Sequence, residues 1–331
     1  MALRAPRGAP AFNASFGLPS RPSLLGARAL SLRASSGARG TTMTAFRKYH
    51  GIGNDFVVVD NRAQKNPLYT PDQSVAICDR NTGVGADGVI FLLPPKRRSS
   101  DFAMRLYNSD GTEPEMCGNG IRCLAKFADD LKIPTASPGR FVIDTGAGVI
   151  IPEIEQGSSE VKVDMGEPVI IPGEVPTTLD TSESAGYEAV LNVDGTDWTF
   201  SCVSMGNPHA ISFVSKEVFL EMDTKLEEVG PSFECNPVFP QKTNTEWAFQ
   251  RCRTEFDMLV WERGAGRTMA CGTGACAVLV AAVLTGRADK DQPTVIHLPG
   301  GDLTIEWVSK TNHIMMTGPA ELVFEGHFPK V

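Results

Sequence analysis

A helix-forming segment near the C-terminus, with the sequence GTGACAVLVAAVL at Gly272–Leu284, places the strongest constraint on the fold of this chain. Because its residues are apolar on every side of a helix, it has to be surrounded by other parts of the protein. The longest apolar run, Ala275–Leu284, has ten residues, whereas a membrane-spanning helix needs roughly twenty. We therefore expect an enclosed helix in a protein that does not cross a membrane.

Most of the remaining chain has the pattern of short strands separated by turns. Gly118–Leu131 is predicted to be a second, partly enclosed helix, and Pro71–Arg80 and Lys216–Met222 are predicted helices as well. A small-residue helix enclosed in a strand-rich chain suggests a curved sheet that wraps around it. The predicted fold is α+β, with two pseudo-symmetric domains in which a curved, mainly antiparallel sheet surrounds a central helix. The predicted strands are Phe56–Asp60, Val89–Leu93, Phe102–Tyr107, Phe141–Thr145, Val149–Ile154, Val161–Met165, Thr199–Val203, Ala210–Val214, Glu246–Arg253, Phe256–Trp261, Thr294–Leu298 and Leu303–Val308.

An internal repeat supports two related units. The tetrapeptide CGNG at 117–120 resembles CGTG at 271–274, which follows 154 residues later, and the dipeptide GN at 53–54 recurs at 206–207, 153 residues later. Duplication of one unit explains both intervals, with chance coincidence as the alternative. We therefore expect a pseudo-twofold axis that relates the two cysteine loops.

Each Cys-Gly-x-Gly sequence follows a turn and opens a predicted helix. Glycines at a helix start let backbone N–H groups approach a ligand, and these first-turn donors have no partner within the helix. The donors and the helix dipole favour an anion such as a carboxylate, and they lower the pKa of a cysteine at the same position. Two such loops facing one ligand therefore indicate an anion site with two reactive thiols, Cys117 and Cys271.

Two cysteines on opposite faces of a ligand suit an inversion of configuration without a cofactor. A thiolate takes a proton from carbon on one face while a thiol returns a proton to the other face. The carbanion formed beside a carboxylate needs electrostatic stabilisation, which two helix N-termini can supply. Two alternatives stay open at this point: Cys117 and Cys271 are small buried core residues, or they form a regulatory disulfide.

The first 43 residues differ in composition from the rest of the chain. They contain six Arg, no Lys and no acidic residue, and they are rich in Ala, Ser, Gly and Pro. This composition is typical of an organelle transit peptide, which we expect to be disordered and cleaved. Abundant Ser and Pro favour the plastid, with the mitochondrion as the alternative location. A disordered nucleic-acid-binding arm is the alternative interpretation of the segment.

The body after residue 43 is acidic, with 25 basic against 39 acidic residues and a net charge of −14. Because such a body repels phosphate backbones and anionic lipid, we expect no nucleic acid and no membrane as partner. The eight cysteines form no Cys-x-x-Cys pair and do not cluster with the five histidines, so we expect free thiols and no metal. The glycine pattern at 83–88 precedes a strand instead of following one, which is opposite to a dinucleotide-binding motif.

Five motifs, taken in order along the chain, resemble those of the diaminopimelate epimerases. They are FRKYHGIGNDF at 46–56, YNSDG at 107–111, MCGNGIR at 116–122, MGNPH at 205–209 and ERGAGRTMACGTGAC at 262–276. The resemblance covers essentially all of the chain from about Thr44 to the C-terminus. It implies the interconversion of LL- and meso-2,6-diaminopimelate in lysine biosynthesis, with no pyridoxal phosphate, metal or other cofactor.

The resemblance also implies roles for individual residues. Cys117 and Cys271 match the family's acid/base pair, and His209 and Glu262 match catalytic polar groups that support the thiols. The helix starts that hold the reacting carboxylate are at Gly118, Asn119, Gly272 and Thr273. The other substrate contacts fall on Asn54, Asn108, Asn207, Asn244, Glu262 and Arg263. The guanidinium of Arg263 suits a bidentate clamp on the distal carboxylate.

One position departs from the family pattern. Many bacterial members have a substrate-contacting Gln directly after the position of Asp87, whereas this chain has Gly88, and Ala86 replaces a common Phe. The contact has to be absent or replaced, so Gly88 is not among the predicted site residues.

The predicted domains are a transit peptide at 1–43, an N-terminal epimerase domain at 44–163 and a C-terminal epimerase domain at 164–316, with 317–331 able to pack back onto the first. A homodimer is expected, because symmetric dimers are the commonest oligomers. A two-thiol racemase of the proline type, a binding module without activity and a redox-switch protein remain alternatives. Arg263 and the paired asparagines favour a long substrate with two polar ends.

Overall fold

The structure, a computed structural model, describes residues 43–135, 137–155 and 157–329. The predicted transit peptide therefore lies outside the described residues, except for Met43, which is the first residue of a strand. Within the described part of the chain, no helix is long and apolar enough to cross a membrane.

The described residues form strands, four α-helices and one short 3₁₀ helix at Glu183–Ala185. The α-helices are α1 (Pro71–Cys78), α2 (Gly118–Asp130), α3 (Lys216–Glu234) and α4 (Gly272–Leu284). The strands before α3 are β1 (Met43–Gly51), β2 (Asn54–Asp60), β3 (Gly88–Leu93), β4 (Phe102–Asn108), β5 (Ile143–Thr145), β6 (Gly148–Ile150), β7 (Glu153–Ile154), β8 (Glu160–Asp164), β9 (Ala189–Val193), β10 (Thr196–Ser204) and β11 (Pro208–Phe213). The strands after α3 are β12 (Asn244–Cys252), β13 (Glu255–Glu262), β14 (Gly266–Arg267), β15 (Thr294–Leu298), β16 (Gly301–Trp307), β17 (Ile314–Pro319) and β18 (Glu321–Pro329).

The first sheet has the strand order β18-β1-β2-β3-β4-β5-β6 and surrounds α2. This helix packs against β1 to β4 of the first sheet and against β7 and β8 of the second. Its buried side includes Ile121, Leu124 and Ala128, and ten of its 13 residues are buried. The partly enclosed second helix expected from the sequence is therefore present.

The second sheet has the strand order β7-β8-β17-β16-β15-β13-β12-β11-β10-β9, with β14 paired to β13. It surrounds α4, which packs against β10, β11, β12, β16 and β17. Every residue from Gly274 to Ala282 is buried. The small side chains of this helix let the strands approach it from several directions, and the predicted enclosure of Gly272–Leu284 is confirmed.

The strand pairings repeat in the two halves of the molecule. Along β1 to β6 the successive pairs are antiparallel, parallel, antiparallel, parallel and antiparallel. The same series recurs along β10, β11, β12, β13, β15 and β16. In each half the first parallel connection contains α1 or α3 and the second contains α2 or α4. The predicted α+β fold of two pseudo-symmetric, mainly antiparallel sheets around central helices is confirmed.

The main hydrophobic core lies between the two sheets. It contains side chains of both central helices, such as Leu124 of α2 and Leu279 of α4, in one continuous cluster. The outer faces are covered by the two other helices, with Ile77 of α1 on the first sheet and Phe233 of α3 on the second. The starts of the two central helices are thus held within a single packed core.

Several elements differ from the predictions. The predicted helix Lys216–Met222 continues to Glu234, because buried residues at helical spacing up to Phe233 pack it against the second sheet. The predicted strand 149–154 is divided between β6 of the first sheet and β7 of the second. No sequence pattern predicted β1, β9, β14, β17 or β18. The C-terminal strand β18 pairs with β1 from Met43↔Pro329 to His50↔Glu321. The predicted domain bounds stay a prediction. All of β7 and most of β8 lie before residue 164, yet both strands hydrogen-bond in the second sheet.

Candidate active site

The two Cys-Gly-x-Gly loops meet where α2 and α4 begin. Cys117 and Cys271 are the N-cap residues of these helices. A Cβ atom added to Gly118 or Gly272 would come 3.0 Å from the side chain of Met316, so both helix starts border the same methionine. Two helix N-termini, whose first-turn N–H groups have no carbonyl partner within the helix, therefore converge on one place, an arrangement that favours a carboxylate.

A buried asparagine joins the two loops directly. Asn119 Nδ2 donates to the Ala270 carbonyl oxygen at 3.3 Å and to Asn54 Oδ1 at 3.1 Å. Within the described residues, the buried Asn119 Oδ1 atom has no hydrogen-bond partner. Asn119 thus connects the start of α2 with the loop before α4 and with the start of β2, and it retains an acceptor for a ligand.

The Cys117 thiol faces an acceptor oxygen. Its Sγ atom accepts from the Gly120 backbone N–H at 3.4 Å and lies 4.0 Å from Asn54 Oδ1, to which the thiol can donate. Asp87 fixes the orientation of the Asn54 amide, because its carboxylate accepts a hydrogen bond from Asn54 Nδ2 at 2.7 Å. Arg80 in turn donates to the same carboxylate at 2.8 Å. The ion pair of Arg80 and Asp87 therefore fixes which end of the Asn54 amide faces the sulfur.

The Cys271 thiol lies at the end of a longer chain of polar groups. Its Sγ atom is 3.6 Å from Thr273 Oγ1, which accepts from Asn207 Nδ2 at 3.3 Å. Asn207 Oδ1 is 3.0 Å from His209 Nε2. His209 Nδ1 is 2.6 Å from Glu246 Oε1, and both of these side chains are fully buried. We call Glu246, His209, Asn207 and Thr273 the Cys271 hydrogen-bond chain.

The strand register identifies the corresponding positions in the first sheet. Phe56 of β2 lies opposite Gly88 of β3, as His209 of β11 lies opposite Asn244 of β12. Two residues further along the second strand of each pair are Ile90 and Glu246. Contacts of the central helices agree with this correspondence: a Cβ atom on Gly120 would meet Ile90 at 3.2 Å, and one on Gly274 would meet Glu246 at 2.7 Å. Phe56 and Ile90 therefore occupy, near Cys117, the positions that His209 and Glu246 occupy near Cys271.

Burial raises the pKa of both thiols, which corrects the expectation that the helix starts lower it. For Cys117 burial raises the pKa, and the N–H groups of the helix start oppose it without cancelling it. For Cys271 burial raises the pKa well above its ordinary value, the charge of Glu262 adds to it, and the Thr273 hydroxyl opposes them. Glu246 would add to it only in its ionised form, and burial raises the pKa of Glu246 itself, which favours the neutral acid. The helix-start effect is present, but desolvation of the charged thiolate is larger in the ligand-free protein.

Glu262, at the end of β13, is the acid that acts on both thiols. Burial raises its pKa, against the hydrogen bond from Thr268, whose hydroxyl donates to the carboxylate at 2.5 Å. Glu262 is therefore close enough to affect both thiols by its charge, and His209 is linked to Cys271 through Asn207 and Thr273. The catalytic roles of these two residues stay a prediction. Among the described residues, no group of three or more His, Cys, Asp and Glu is arranged to hold a metal ion.

Three other predicted contact residues make hydrogen bonds within the protein. Asn108 donates to a threonine hydroxyl of its own turn at 3.0 Å. Asn244 donates to the Pro208 carbonyl at 2.8 Å and accepts from the Arg263 backbone N–H at 2.9 Å. The exposed Arg263 guanidinium donates to the Gln241 carbonyl at 3.1 Å. Contacts of Asn108, Asn244 and Arg263 with substrate stay a prediction.

Gly88 has a packing reason for its lack of a side chain. A Cβ atom there would lie 2.8 Å from the Tyr107 carbonyl oxygen and 2.9 Å from Leu106. Because β3 and β4 approach so closely at this position, a longer residue would displace the backbone of β4. Residue 88 therefore offers no side-chain contact to a ligand.

Sequence reasoning missed three charged residues near the thiols. Glu246 lies in a predicted strand, where an acid between aromatic and β-branched neighbours is a signal of a buried partner. Asp87 lies in the glycine pattern at 83–88, which carries no predicted site. Arg122, in a quoted motif, is fully buried in α2 and donates to the Gly118 carbonyl at 3.2 Å. Each of them touches a residue of the cysteine loops or of their hydrogen-bond partners.

The sequence is similar to that of known proteins along most of its length. The family model described as Diaminopimelate epimerase matches residues 46–171 and 201–323. A rice protein (Oryza sativa subsp. japonica) named "Diaminopimelate epimerase, chloroplastic" is 54% identical over 284 residues, covering 85% of this chain and 79% of its own. A protein of Trichodesmium erythraeum (strain IMS101) named "Diaminopimelate epimerase" is 51% identical over 282 residues, covering 85% of this chain and 98% of its own.

Solved structures share the fold at low sequence identity. A hydroxyproline epimerase from Agrobacterium vitis, solved with trans-4-hydroxy-L-proline bound, superimposes with a TM-score of 0.61 and 14% identity, covering 86% of this chain and 91% of its own. A Bacillus anthracis phenazine biosynthesis protein of the PhzF family has a TM-score of 0.60 and 15% identity, covering 87% of this chain and 99% of its own. The family match extends over both cysteine loops, and the chain belongs to the diaminopimelate epimerases, a family of isomerases.

Proposed function

We propose that this protein interconverts LL- and meso-2,6-diaminopimelate by proton transfer at the α-carbon, with Cys117 and Cys271 as the two acid/base groups. The observation that carries the proposal is the convergence of two cysteine-capped helix N-termini on one place. The names of the rice and Trichodesmium relatives support diaminopimelate as the substrate.

In each direction one sulfur acts as the base and the other as the acid. The thiolate removes the α-proton, the electron pair of the broken C–H bond stays on carbon beside the carboxylate, and the opposite thiol donates its proton to the other face. The second sulfur is then the thiolate, ready for the reverse reaction. Because burial raises the pKa of both thiols, a thiolate formed here is a strong base toward a weakly acidic carbon.

The helix starts would hold the reacting carboxylate and stabilise the negative charge that develops beside it. Their backbone N–H groups belong to Gly118, Asn119, Gly272 and Thr273. Loss of one such donor typically costs about 10²–10³ in rate. The free acceptor Asn119 Oδ1 suits the α-ammonium group of the same substrate.

The remaining polar residues would support the thiols or bind the rest of the substrate. His209 and Glu262 act on Cys271 through hydrogen bonds and charge. In this proposal the other contacts come from Asn54, Asn108, Asn207, Asn244, Glu262 and Arg263. Arg263 is exposed at the edge of the site and suits the distal carboxylate, which the enzyme has to recognise without reacting there.

The proposal includes a plastid location, supported by the chloroplastic name of the rice relative. The transit peptide at 1–43, the homodimer and the two domains at 44–163 and 164–316 belong to the same proposal. Import of the full chain into isolated chloroplasts, with mitochondria in parallel, tests the location and the processing together.

The experiment that tests the activity is proton NMR of LL-diaminopimelate with the reduced protein in D₂O and no added cofactor. We expect loss of the α-proton signal together with appearance of the meso isomer. Absence of both changes in folded, reduced protein would contradict the proposal. Proline and 4-hydroxyproline are the comparison substrates, and exchange with them but not with diaminopimelate would assign a different substrate class.

A further inference from the structure

Glu246 is a buried acid whose role the two-cysteine reaction leaves open. It lies on β12, is fully buried, and contacts His209 through only one of its two oxygens. The other, Oε2, is buried without a hydrogen-bond partner in the described residues. A Cβ atom on Gly274 would lie 2.7 Å from Glu246 Oε1 and 3.2 Å from Cys271 Sγ, so the acid reaches the start of α4 beside the sulfur. Burying a carboxyl group is costly, and the cost implies a function or a partner that requires it.

The hydrogen-bond chain fixes where the protons of His209 lie. Asn207 donates through Nδ2 to Thr273, so its Oδ1 atom faces His209 Nε2 as an acceptor, and Nε2 has to carry a hydrogen. His209 Nδ1 and Glu246 Oε1 are 2.6 Å apart, a distance that requires a proton between them. Whichever of the two atoms holds that proton, Glu246 keeps the Nε2 hydrogen of His209 directed toward Asn207.

The same logic continues to the sulfur. Thr273 Oγ1 accepts from Asn207, which leaves the hydroxyl hydrogen free to donate, and Cys271 Sγ lies 3.6 Å away. From His209 onward each group donates toward the next in the direction of Cys271. Hydrogen bonds aligned in this way polarise one another and favour negative charge at the accepting end. A thiolate, which can only accept, is the form of Cys271 that fits this chain.

We propose that Glu246 is a positioning residue for proton transfer at Cys271, which holds His209 so that Asn207 and Thr273 keep donating toward the sulfur. The inference rests on the proposed function in that Cys271 is one of its two acid/base groups. It adds a residue that does not touch the substrate and acts only on one of the two thiols. The thiol of Cys117 has Ile90 at the corresponding position and therefore has no such chain.

The test is the rate of alkylation of each thiol by iodoacetamide between pH 7 and pH 10, measured by peptide mass spectrometry without substrate. Glu246→Ile, which places the residue of the first sheet at this position, should slow alkylation of Cys271 about tenfold at pH 8, equivalent to about one unit in its pKa. Alkylation of Cys117 in the same molecules should be unchanged. Glu246→Gln should stay close to the wild type, because its amide can turn to donate to His209 Nδ1 and preserve the chain.

Two further variants test whether Glu246 acts on Cys271 through the Cys271 hydrogen-bond chain. Thr273→Val removes the hydroxyl group that donates to Cys271 Sγ, and it should slow alkylation of Cys271 as much as Glu246→Ile does. The double variant should be no slower than either single variant, since both cut the same chain. Ser201→Ala is the matched control: it removes a buried hydroxyl from β10 that has no partner in the described residues, and it should leave both thiols unchanged. If Glu246→Ile does not fold, Glu246→Asp replaces it, because the shorter acid cannot span the distance to His209.

The other titratable groups around Glu246 and Cys271 are His209, Glu262 and Cys202, and all three are retained in these variants. Faster alkylation of Cys271 in Glu246→Ile would mean that the acid repels the thiolate, and this result would overturn the proposal. An equal change at both thiols, or a Gln variant as slow as the Ile variant, would overturn it too. Because no substrate is present, the alkylation result is independent of the NMR experiment. If the variants show the expected alkylation pattern but the protein does not epimerise diaminopimelate, the proposed function is rejected and the role of Glu246 at Cys271 is retained.

Discussion

The surroundings of Cys117 and Cys271 are built by the same fold and differ in hydrogen-bond direction. Both cysteines cap a central helix and lie near an asparagine at the start of the second strand of its half. Asn54 turns its oxygen toward Cys117, whereas Asn207 turns its nitrogen toward the threonine beside Cys271. In the proposed reaction, the first arrangement favours the thiol form of Cys117 and the second favours the thiolate form of Cys271.

The difference in hydrogen-bond direction arises from the residues that hydrogen-bond to the two asparagine amides. An aspartate fixes the Asn54 amide on the first side, and the His209–Glu246 pair fixes the Asn207 amide on the second. A duplicated unit can thus keep its helix starts and strand pairings while two strand residues reverse the polarity at one thiol. For a reaction that needs one acid and one base at a time, this asymmetry supplies both from a repeated framework.

The largest expected effect is the loss of either sulfur. Cys117→Ser and Cys271→Ser should each lower the rate of epimerisation by about 10²–10⁴-fold, because a hydroxyl is far less acidic than a thiol and each thiol serves as general acid or base. Turnover is followed by NMR, with folding checked by circular dichroism. Cys252→Ser, the same change at an exposed cysteine, is the control and should retain full activity. Full activity in either active-site variant would reject the two-base mechanism.

The next effect concerns the buried pair below Cys271. His209→Phe alone should lower the free energy of unfolding by about 3 kcal/mol, because it leaves the Glu246 carboxyl group buried without its partner. His209→Phe combined with Glu246→Ile recreates the apolar pair of the first sheet and should recover most of that loss. Urea unfolding measures both variants. A double variant that is less stable than the single one would show that the two halves are not interchangeable at these positions.

Substitution of the matched glycines in the two central helices by alanine should destabilise the protein more at Gly274 than at Gly120. Gly274→Ala places a methyl group 2.7 Å from Glu246 and should destabilise the protein by about 1–3 kcal/mol through overpacking. Gly120→Ala meets Ile90 at 3.2 Å, and the gain in helix propensity of about 1 kcal/mol should offset the tighter contact. The comparison of the two unfolding midpoints is the measurement. Equal losses in both variants would argue against the closer approach of Glu246 to its helix.

The smallest effect is a difference in pH dependence. Because the pKa of both thiols is raised, less thiolate is present at pH 8 than in an ordinary cysteine, and alkylation should keep increasing above pH 9. The increase should come at higher pH for Cys271, because burial and the Glu262 carboxylate raise its pKa well above the ordinary value. The exposed Cys235 and Cys252 serve as internal reference thiols. If alkylation of both active-site thiols levelled off below pH 8, burial would not be raising their pKa values.

Much of the fold followed from local patterns. The enclosed helix α4 was predicted with its observed bounds, because its apolar composition and its cysteine loop both mark the same segment. The cysteine loops followed from the internal repeat. The role of Glu246 could not be predicted, because an acid in a strand normally faces water, and its burial depends on the space left by Gly274 on a distant helix. The predicted end of α3 at Met222 is too early, because the helix continues to Glu234 through packing against the second sheet, including the close contact of Gly230 with Trp261.

The pairing of β18 with β1 has a consequence for the order in which the molecule folds. The first strand of the first sheet is completed on its outer side only by the last strand of the chain, with Met43 opposite Pro329. During synthesis, β1 therefore has to wait as an unpaired edge until nearly the whole chain has emerged, and such long-range closure is slow. Pulse-labelling hydrogen exchange during refolding should find the amides shared by β1 and β18 protected last. A chain that stops before Glu321 retains every cysteine, but it leaves β1 as a long unpaired edge with which other chains can pair. We therefore expect such a truncation to cause aggregation although it removes no catalytic group.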